Sequence, residues 1–319
     1  MKISNNIIEA GTWLTQNNVI AIPTETVYGL AASIYNEKAI QSIYKIKNRP
    51  ANNPLIVHIK SEKELHKYVS YVPVKAALLA KKFWPGPLTL VLPKSSIVPN
   101  YITANKDSVA IRVPAHLTTL KLLDRLDFPL AAPSANPSNC VSATEAQHVL
   151  DYFGDKIPFI LDGGACKKGL ESTIIGFENE EPVVYRLGAL SLESIEKTIG
   201  SVIVQNQVKS TPNAPGMFSK HYAPKTPLYL VEDIETFLKK THYTSVAYLS
   251  FNKVLKHPKI KDCYVLSPKN KLEQAARNLY KTLIQIDTKN HDAILTQFFP
   301  EENLGKSIND RLRRASFKS

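Results

Sequence analysis

Residues 19–30 read Val19-Ile20-Ala21-Ile22-Pro23-Thr24-Glu25-Thr26-Val27-Tyr28-Gly29-Leu30. The apolar, mostly β-branched run from Val19 to Ile22 predicts a short strand, and Pro23, which cannot donate to a ladder, stops it. A polar loop then leaves the strand end, which is where α/β sheets hold ligands. Taken alone, its hydroxyls read equally well as a turn that bonds to its own backbone. Asn36 next caps a helix that places Ala39, Ile40, Ile43 and Ile46 on one face. That helix ends at Asn48, because Arg49 precedes Pro50 and residues before proline avoid helical geometry. Strand, polar loop and amphipathic helix in succession set the class as α/β.

Working outward, Ser4 is expected to cap a helix carrying Ile7, Ile8, Gly11 and Leu14. Apolar runs predict strands at 54–59, 88–92, 109–113, 129–132, 159–161, 172–177 and 183–187, with helical stretches between many of them. Some connections are too short for parallel crossovers, so the sheet is expected to be mixed. Residues 208–227 break the pattern with Pro212, Pro215, Gly216, Pro224 and Pro227, the composition of a linker. They also carry Met217, Phe218, His221 and Tyr222, which a plain spacer does not need. Further strands at 228–231, 245–249 and 264–266 and a helix at 272–286 predict a second, smaller α/β domain. The expected division is therefore 1–207, a linker at 208–227, and 228–319.

The formal charge of +12 is uneven. Residues 1–207 carry 21 Lys and Arg against 18 Asp and Glu, whereas residues 208–319 carry 19 against 10. The basic part ends in Arg311, Arg313, Arg314 and Lys318, which reads as a surface attracting nucleic acid or as a solvated lysine-rich face. Three scattered cysteines, Cys140, Cys166 and Cys263, fit neither a disulfide framework nor a zinc site. No apolar run approaches the roughly 20 residues of a membrane span, and the odd, scattered cysteines make a reducing cytoplasm the expected address.

The motifs of serine hydrolases, zinc proteases and dinucleotide folds are absent. Gly164 to Gly169 approaches a P-loop, but Leu170 stands where lysine is needed. What remains are polar clusters at strand ends. Lys47 and Arg49 can satisfy the last carbonyls of their helix or face phosphate oxygens. Ser108, Ala110 and Arg112 share one face of a strand, and a buried Arg112 needs an anionic partner. Either a ligand carboxylate or a structural Asp or Glu serves. Ser134, Asn136 and Ser142 follow another strand; Ser142 with Glu145 is also a capping box.

The order in which these clusters occur is more specific than any one of them. Thr24-x-Thr26-Val27-Tyr28-Gly29-Leu30, Lys47-x-Arg49-Pro50, Phe83-Trp84-Pro85-Gly86-Pro87-Leu88-Thr89, Ser134-x-Asn136 and Glu171-Ser172-Thr173 together closely resemble the threonylcarbamoyl-AMP synthase family. The likeness to its YrdC-type catalytic domain spans about residues 5–205, and Pro215-Gly216-Met217 with His221-Tyr222-Ala223-Pro224 resembles the linker of the long, two-domain form. The resemblance implies an open, twisted mixed sheet with a positive concave groove, followed by a smaller Rossmann-like α/β domain. It implies formation of threonylcarbamoyl-AMP and pyrophosphate from L-threonine, bicarbonate and ATP, for threonylcarbamoyladenosine modification of tRNA beside the anticodon. Thr26, His58, Arg112, Ala132 and Ser172 would surround threonine. Arg49, Asn53, Ser108, Ser134, Ser142 and Arg186 would hold ATP, with Lys47 and Arg49 beside its phosphates and Tyr222 covering the nucleotide. Asn136 would order its loop. Mg2+ is expected on the phosphates, without a protein-held metal.

Departures from the family pattern are Ala31 and Asn139 at positions where glycine is common, and Phe218-Ser219 in the linker. Asparagine tolerates left-handed backbone, so the turn at Asn139 is expected to survive. A handover to the transferase that modifies tRNA is the expected partnership, with weak RNA binding as a further one. The rival readings are a non-enzymatic double-stranded-RNA-binding module and a carbamoyl transferase of the hydrogenase-maturation type; the cysteine pairs that accompany the latter are missing.

Overall fold

The computed structural model describes residues 1–205 and 222–316. Most of the expected linker and the last three residues thus lie outside the described residues, including Pro215, Gly216, Met217, Phe218 and His221.

Eleven strands of the described residues form one sheet. In chain order they are β1 Lys2–Ser4, β2 Ile20–Ile22, β3 Gly29–Ser33, β4 Ile56–His58, β5 Leu88–Pro93, β6 Ser108–Arg112, β7 Leu130–Ala131, β8 Phe159–Leu161, β9 Thr173–Glu178, β10 Glu181–Arg186 and β11 Ile203–Val204. Their spatial order is β1-β8-β2-β3-β7-β4-β6-β5-β9-β10-β11. The sheet is mixed: β4 pairs with β6 in parallel, whereas β2 and β3 are antiparallel. A second sheet, β12 Leu228–Leu230, β13 Val246–Ser250, β14 Ile260–Val265 and β15 Ala293–Thr296, runs wholly parallel in the order β12-β15-β13-β14.

Alternation along the strands divides the large sheet's side chains between two faces. Ala21, Leu30, Val57, Leu90 and Ile111 point into the main core. There they meet helices α1 Ile7–Thr15 through α8 only in part: α2 Glu37–Lys47, α3 Leu65–Tyr68, α4 Val74–Phe83, α5 Asn100–Thr103, α7 Ala146–Phe153 and α8 Leu192–Ile199 supply this core. On the opposite face, Ile20 and Ile22 pack with α1 and α6 Leu117–Arg125. Ile56, Ala110, Ile174 and Val183 form a separate small cluster on that face. Ala132 of the one cluster and Ile56 of the other line a groove between them.

The second sheet carries α9 Ile234–Lys240, α10 Leu272–Ile286 and α11 Leu304–Ala315. Its core does not stop at its own boundary. Leu279, Leu283 and Ile308 pack in one cluster with Val27, Val141, Leu170 and Ala189 of the first unit. No helix of the described residues is long and apolar enough to cross a membrane.

Several local expectations are corrected. Ser4 closes β1, and Asn6 caps α1 by accepting from the Ile8 and Glu9 amides. Asn6 lies directly before the first helical turn, where a cap must be. Ser142 does not cap α7: the cap position is Glu145, without a side-chain bond, and Ser142 is turned inward. The loop after β2 ends at Tyr28, because Gly29 already begins β3. At Asn139 the backbone is left-handed, φ 70°, so asparagine does make that turn.

Candidate active site

The turn between β2 and β3 is built by one hydroxyl. Thr24 Oγ1 donates to Val27 O at 2.6 Å and accepts from the amides of Thr26 and Val27. Its single proton being spent, Thr26 Oγ1 is the donor in the 2.7 Å bond between the two threonines. Gly29 follows because a Cβ there would lie 3.1 Å from Ala132 Cβ and 3.3 Å from Pro133 O. That close approach lets Leu30 N donate to Pro133 O and Ala135 N to Tyr28 O, bringing the loop after β7 against the turn.

The same turn supplies one half of a buried ion pair. Arg112 Nη2 donates to Glu25 Oε1 at 2.7 Å, and Glu25 Oε2 accepts from Ala115 N at 2.9 Å. Of the two partners open to Arg112 from the sequence, the structure thus supplies a structural carboxylate. The pair is nearly neutral as a unit, so a ligand carboxylate here would meet a hydrogen-bond donor rather than an uncompensated charge. His58 stands opposite Arg112 in the β4–β6 register. Burial, and then the nearby Arg112, push its imidazole down to about 3, so it is neutral at physiological pH.

Helix α2 delivers the next cations. Its end at Asn48 takes left-handed geometry, φ 51°, and Arg49 N donates back to Tyr44 O. Lys47 does not reach into the groove: its ammonium donates to the Ser134 and Asn136 carbonyls, and only 1% of the residue is exposed. Burial, with Arg49 beside it, lowers its pKa well below the usual lysine value. Lys47 is a staple holding the loop that bears Ser134. Asn136 works in the same loop, donating through Nδ2 to the Pro137 and Cys140 carbonyls at 2.9 Å each. Asn53 likewise serves Arg49, its Oδ1 accepting from Nη2 at 2.6 Å. Arg49 itself faces the groove, and burial lowers its guanidinium to about 10.

The remaining wall comes from the segment before β9 and from β10. Arg186 Nη2 donates to Ser172 Oγ and Nε to Ser172 O, both at 3.0 Å. Ser172 Oγ is also hydrogen-bonded to Thr89 Oγ1 at 2.7 Å. Glu171 Oε1 accepts from Ser142 Oγ at 2.6 Å, while Oε2 accepts from Tyr280 OH and Arg311 Nε at 3.0 Å each. Burial raises the Glu171 carboxyl, but Arg311 and then Arg186 outweigh it and hold the group down at about 2.

Arg49, Arg112 and Ser134, from three separate parts of the chain, therefore line one groove. Thr26, His58 and Ala132 join them, as do Ser172, Arg186 and Tyr222. Lys47, Asn53, Asn136 and Ser142 stand behind the lining, each bonded to a residue that forms it, Asn136 through its amide to Ser134 O. Ser108, at the far end of β6 from Arg112, is half-buried and outside the groove.

Three functional neighbours were missed by sequence reasoning. Glu25 and Glu171 lay inside the quoted motifs, but nothing in their spacing named their partners. Arg311 reads as surface charge in the sequence, yet it is 1% exposed and contacts Glu171, Asp310 and Leu187 O. Arg314 bonds Asp310 and Arg313 bonds Glu301, so the three described cations of that basic end are all paired. Lys318 lies outside the described residues.

A family model described as "telomere recombination", covering the Sua5, YciO and YrdC proteins, matches residues 12–188. One described as the threonylcarbamoyl-AMP synthase C-terminal domain matches residues 190–316. The chain is 42% identical to a threonylcarbamoyl-AMP synthase of Pyrococcus abyssi, over 96% of this chain and 93% of that one. It is 37% identical to the synthase of Bacillus subtilis, over 97% and 92%. The crystal structure of P. abyssi Sua5 complexed with L-threonine superposes with a TM-score of 0.91 at 38% identity, covering 99% of this chain and 98% of that one.

Proposed function

The chain belongs to the threonylcarbamoyl-AMP synthase family, and from that premise we propose how its groove makes threonylcarbamoyl-AMP. The amine of L-threonine takes up carbon dioxide derived from bicarbonate, forming a new N–C bond and an N-carboxylate, while the amine proton and the hydroxide lost from bicarbonate leave as water. A carboxylate oxygen then attacks the α-phosphorus of ATP, and the bond from that phosphorus to the bridging oxygen breaks. Pyrophosphate leaves with the electron pair. No protein nucleophile takes part, so the residues have to align two anions and offset their repulsion.

The observation that carries this reading is the convergence of Arg49, Arg112 and Ser134 on one hollow. On this reading Thr26, His58, Arg112, Ala132 and Ser172 surround threonine. A neutral His58 suits that place, because a cation there would add a charge the amino acid does not need. Arg49, Arg186 and Ser134 face the phosphates, with Tyr222 over the nucleotide. Lys47, Asn53 and Ser142 act through the residues they hold.

Mg2+ belongs to the same proposal as an ion carried on ATP. Among the described residues no group of three His, Cys, Asp or Glu could hold a metal, and Glu171 has both oxygens engaged. That donor set suits a cation held chiefly by phosphate oxygens and water. When bound, it would neutralise charge developing on the phosphates. A cytoplasmic location and a handover of the labile product to the tRNA-modifying transferase complete the proposal.

The test is pyrophosphate release by the purified chain with ATP, L-threonine and bicarbonate. Release requiring all three, with an AMP-bearing threonine product by mass spectrometry, is expected. ATP turnover indifferent to threonine, or none at all, would sink the reading, and tight salt-sensitive RNA binding without turnover would favour the binding module.

A further inference from the structure

The second unit reaches the wall of the groove through two buried side chains, Tyr280 and Arg311, of which Arg311 alone carries charge. Arg311, on α11, donates through Nε to Glu171 Oε2 at 3.0 Å and to Tyr280 OH at 3.1 Å. Its Nη2 donates to Leu187 O at 2.7 Å, and Nη1 to Asp310 at 2.7 Å. The guanidinium lies 4.5 Å from the centre of the Tyr222 ring, which also stacks on Tyr280 at 5.9 Å and 20°. Arg311 does not line the groove, but Glu171 and Tyr222 both do.

Glu171 is the one carboxylate among the described residues lining the groove. An uncompensated negative charge beside a triphosphate would repel it, more strongly in a buried site than in water. Arg311 removes that charge from the balance while the flat face of its guanidinium supports the tyrosine ring. Arg311 touches neither Thr26, His58 nor Arg112.

We propose that Arg311 is a positioning residue for the nucleotide, through which the second unit completes the ATP wall: it neutralises Glu171 and seats Tyr222. The proposal rests on the synthase reading above, since it needs an anionic nucleotide at this wall. It gives the second unit a task inside the reaction rather than beside it. Replacing Arg311 harms ATP binding selectively, and removing the Glu171 charge at the same time restores part of what is lost.

The experiment uses the full chain and calorimetry with ATP and, separately, L-threonine, on the wild type, Arg311→Met, Glu171→Gln and the double variant. Arg311→Met is expected to weaken ATP binding by about tenfold or more and threonine binding by less than about twofold. The double variant should bind ATP within about threefold of Glu171→Gln, a rescue that a merely structural role would not produce. Equal loss of both ligands, unchanged ATP binding, or no rescue overturns the proposal. If Arg311→Met does not fold, the double variant against Glu171→Gln decides, a further loss of about tenfold counting against it. Wild-type protein without threonine-dependent pyrophosphate release would instead defeat the synthase reading; an active wild type with Arg311→Met at normal ATP affinity defeats only this inference.

Discussion

Arg112 and Glu25 each keep only about a twentieth of their side chains in contact with solvent, 5% and 6%. Removing one partner from such a pair strands the other and costs about 3–5 kcal/mol. Arg112→Met alone would therefore confuse lost folding with lost binding. Arg112→Met with Glu25→Gln avoids this, and is expected to keep ATP affinity while weakening L-threonine by more than about tenfold, the worth of one charged hydrogen bond. Calorimetry showing equal losses would refute the threonine assignment. The same residue marks how far sequence could lead. Alternation put Arg112 on one strand face and demanded an anion, but the partner sits 87 residues away and no spacing rule reaches that far. Arg311 was harder still, since charged residues are rarely buried unless paired. Its partners become visible only when the two sheets are docked.

At the level of elements, α2 was legible at both ends. Asn36 accepts from Ala39 N at 2.8 Å, and Asn48 closes the helix before Arg49 and Pro50. Strand β3 was not, because Gly29-Leu30-Ala31-Ala32-Ser33 is buried throughout and so lacks the alternation that betrays a half-exposed strand. Helix α11 escaped for the opposite reason. Ser307, Asn309, Asp310 and Arg311 are buried polar residues, so its inward face does not read as apolar. The end of α2 also yields an expectation. Lys47→Met should leave the Asn136 carbonyl without its donor and the Ser134 carbonyl with only the Asn136 amide, and lower stability by about 1–3 kcal/mol. ATP affinity should fall with it, because Ser134 rides on that loop. Denaturant unfolding is the measurement, and a variant with wild-type stability but crippled turnover would show that Lys47 acts on the phosphates directly.

Across the whole molecule, the two units share a core and a charge cluster, and the cluster carries a pH signature. Glu171 sits at about 2 in the folded protein against 4.5 ordinarily. A carboxyl lowered on folding stabilises above its unfolded value and loses that contribution as pH falls through the folded one. Stability should therefore decline between about pH 4.5 and 2, by on the order of 3 kcal/mol from this group. His58, lowered to about 3 from 6.5, adds a decline that begins earlier, below about pH 6.5. Denaturant unfolding across this range should show Glu171→Gln with a flatter acid limb than wild type, and an unchanged limb would remove Glu171 from the account. The shared core, with Val27 and Leu170 packed among residues of α10 and α11, has one more consequence. A chain emerging from the ribosome holds every strand of its large sheet by Val204, yet the helix carrying Arg311 begins a hundred positions later, at Leu304. A polypeptide cut short in translation can thus own a finished first sheet and, on the proposal made for Arg311, an unfinished nucleotide wall.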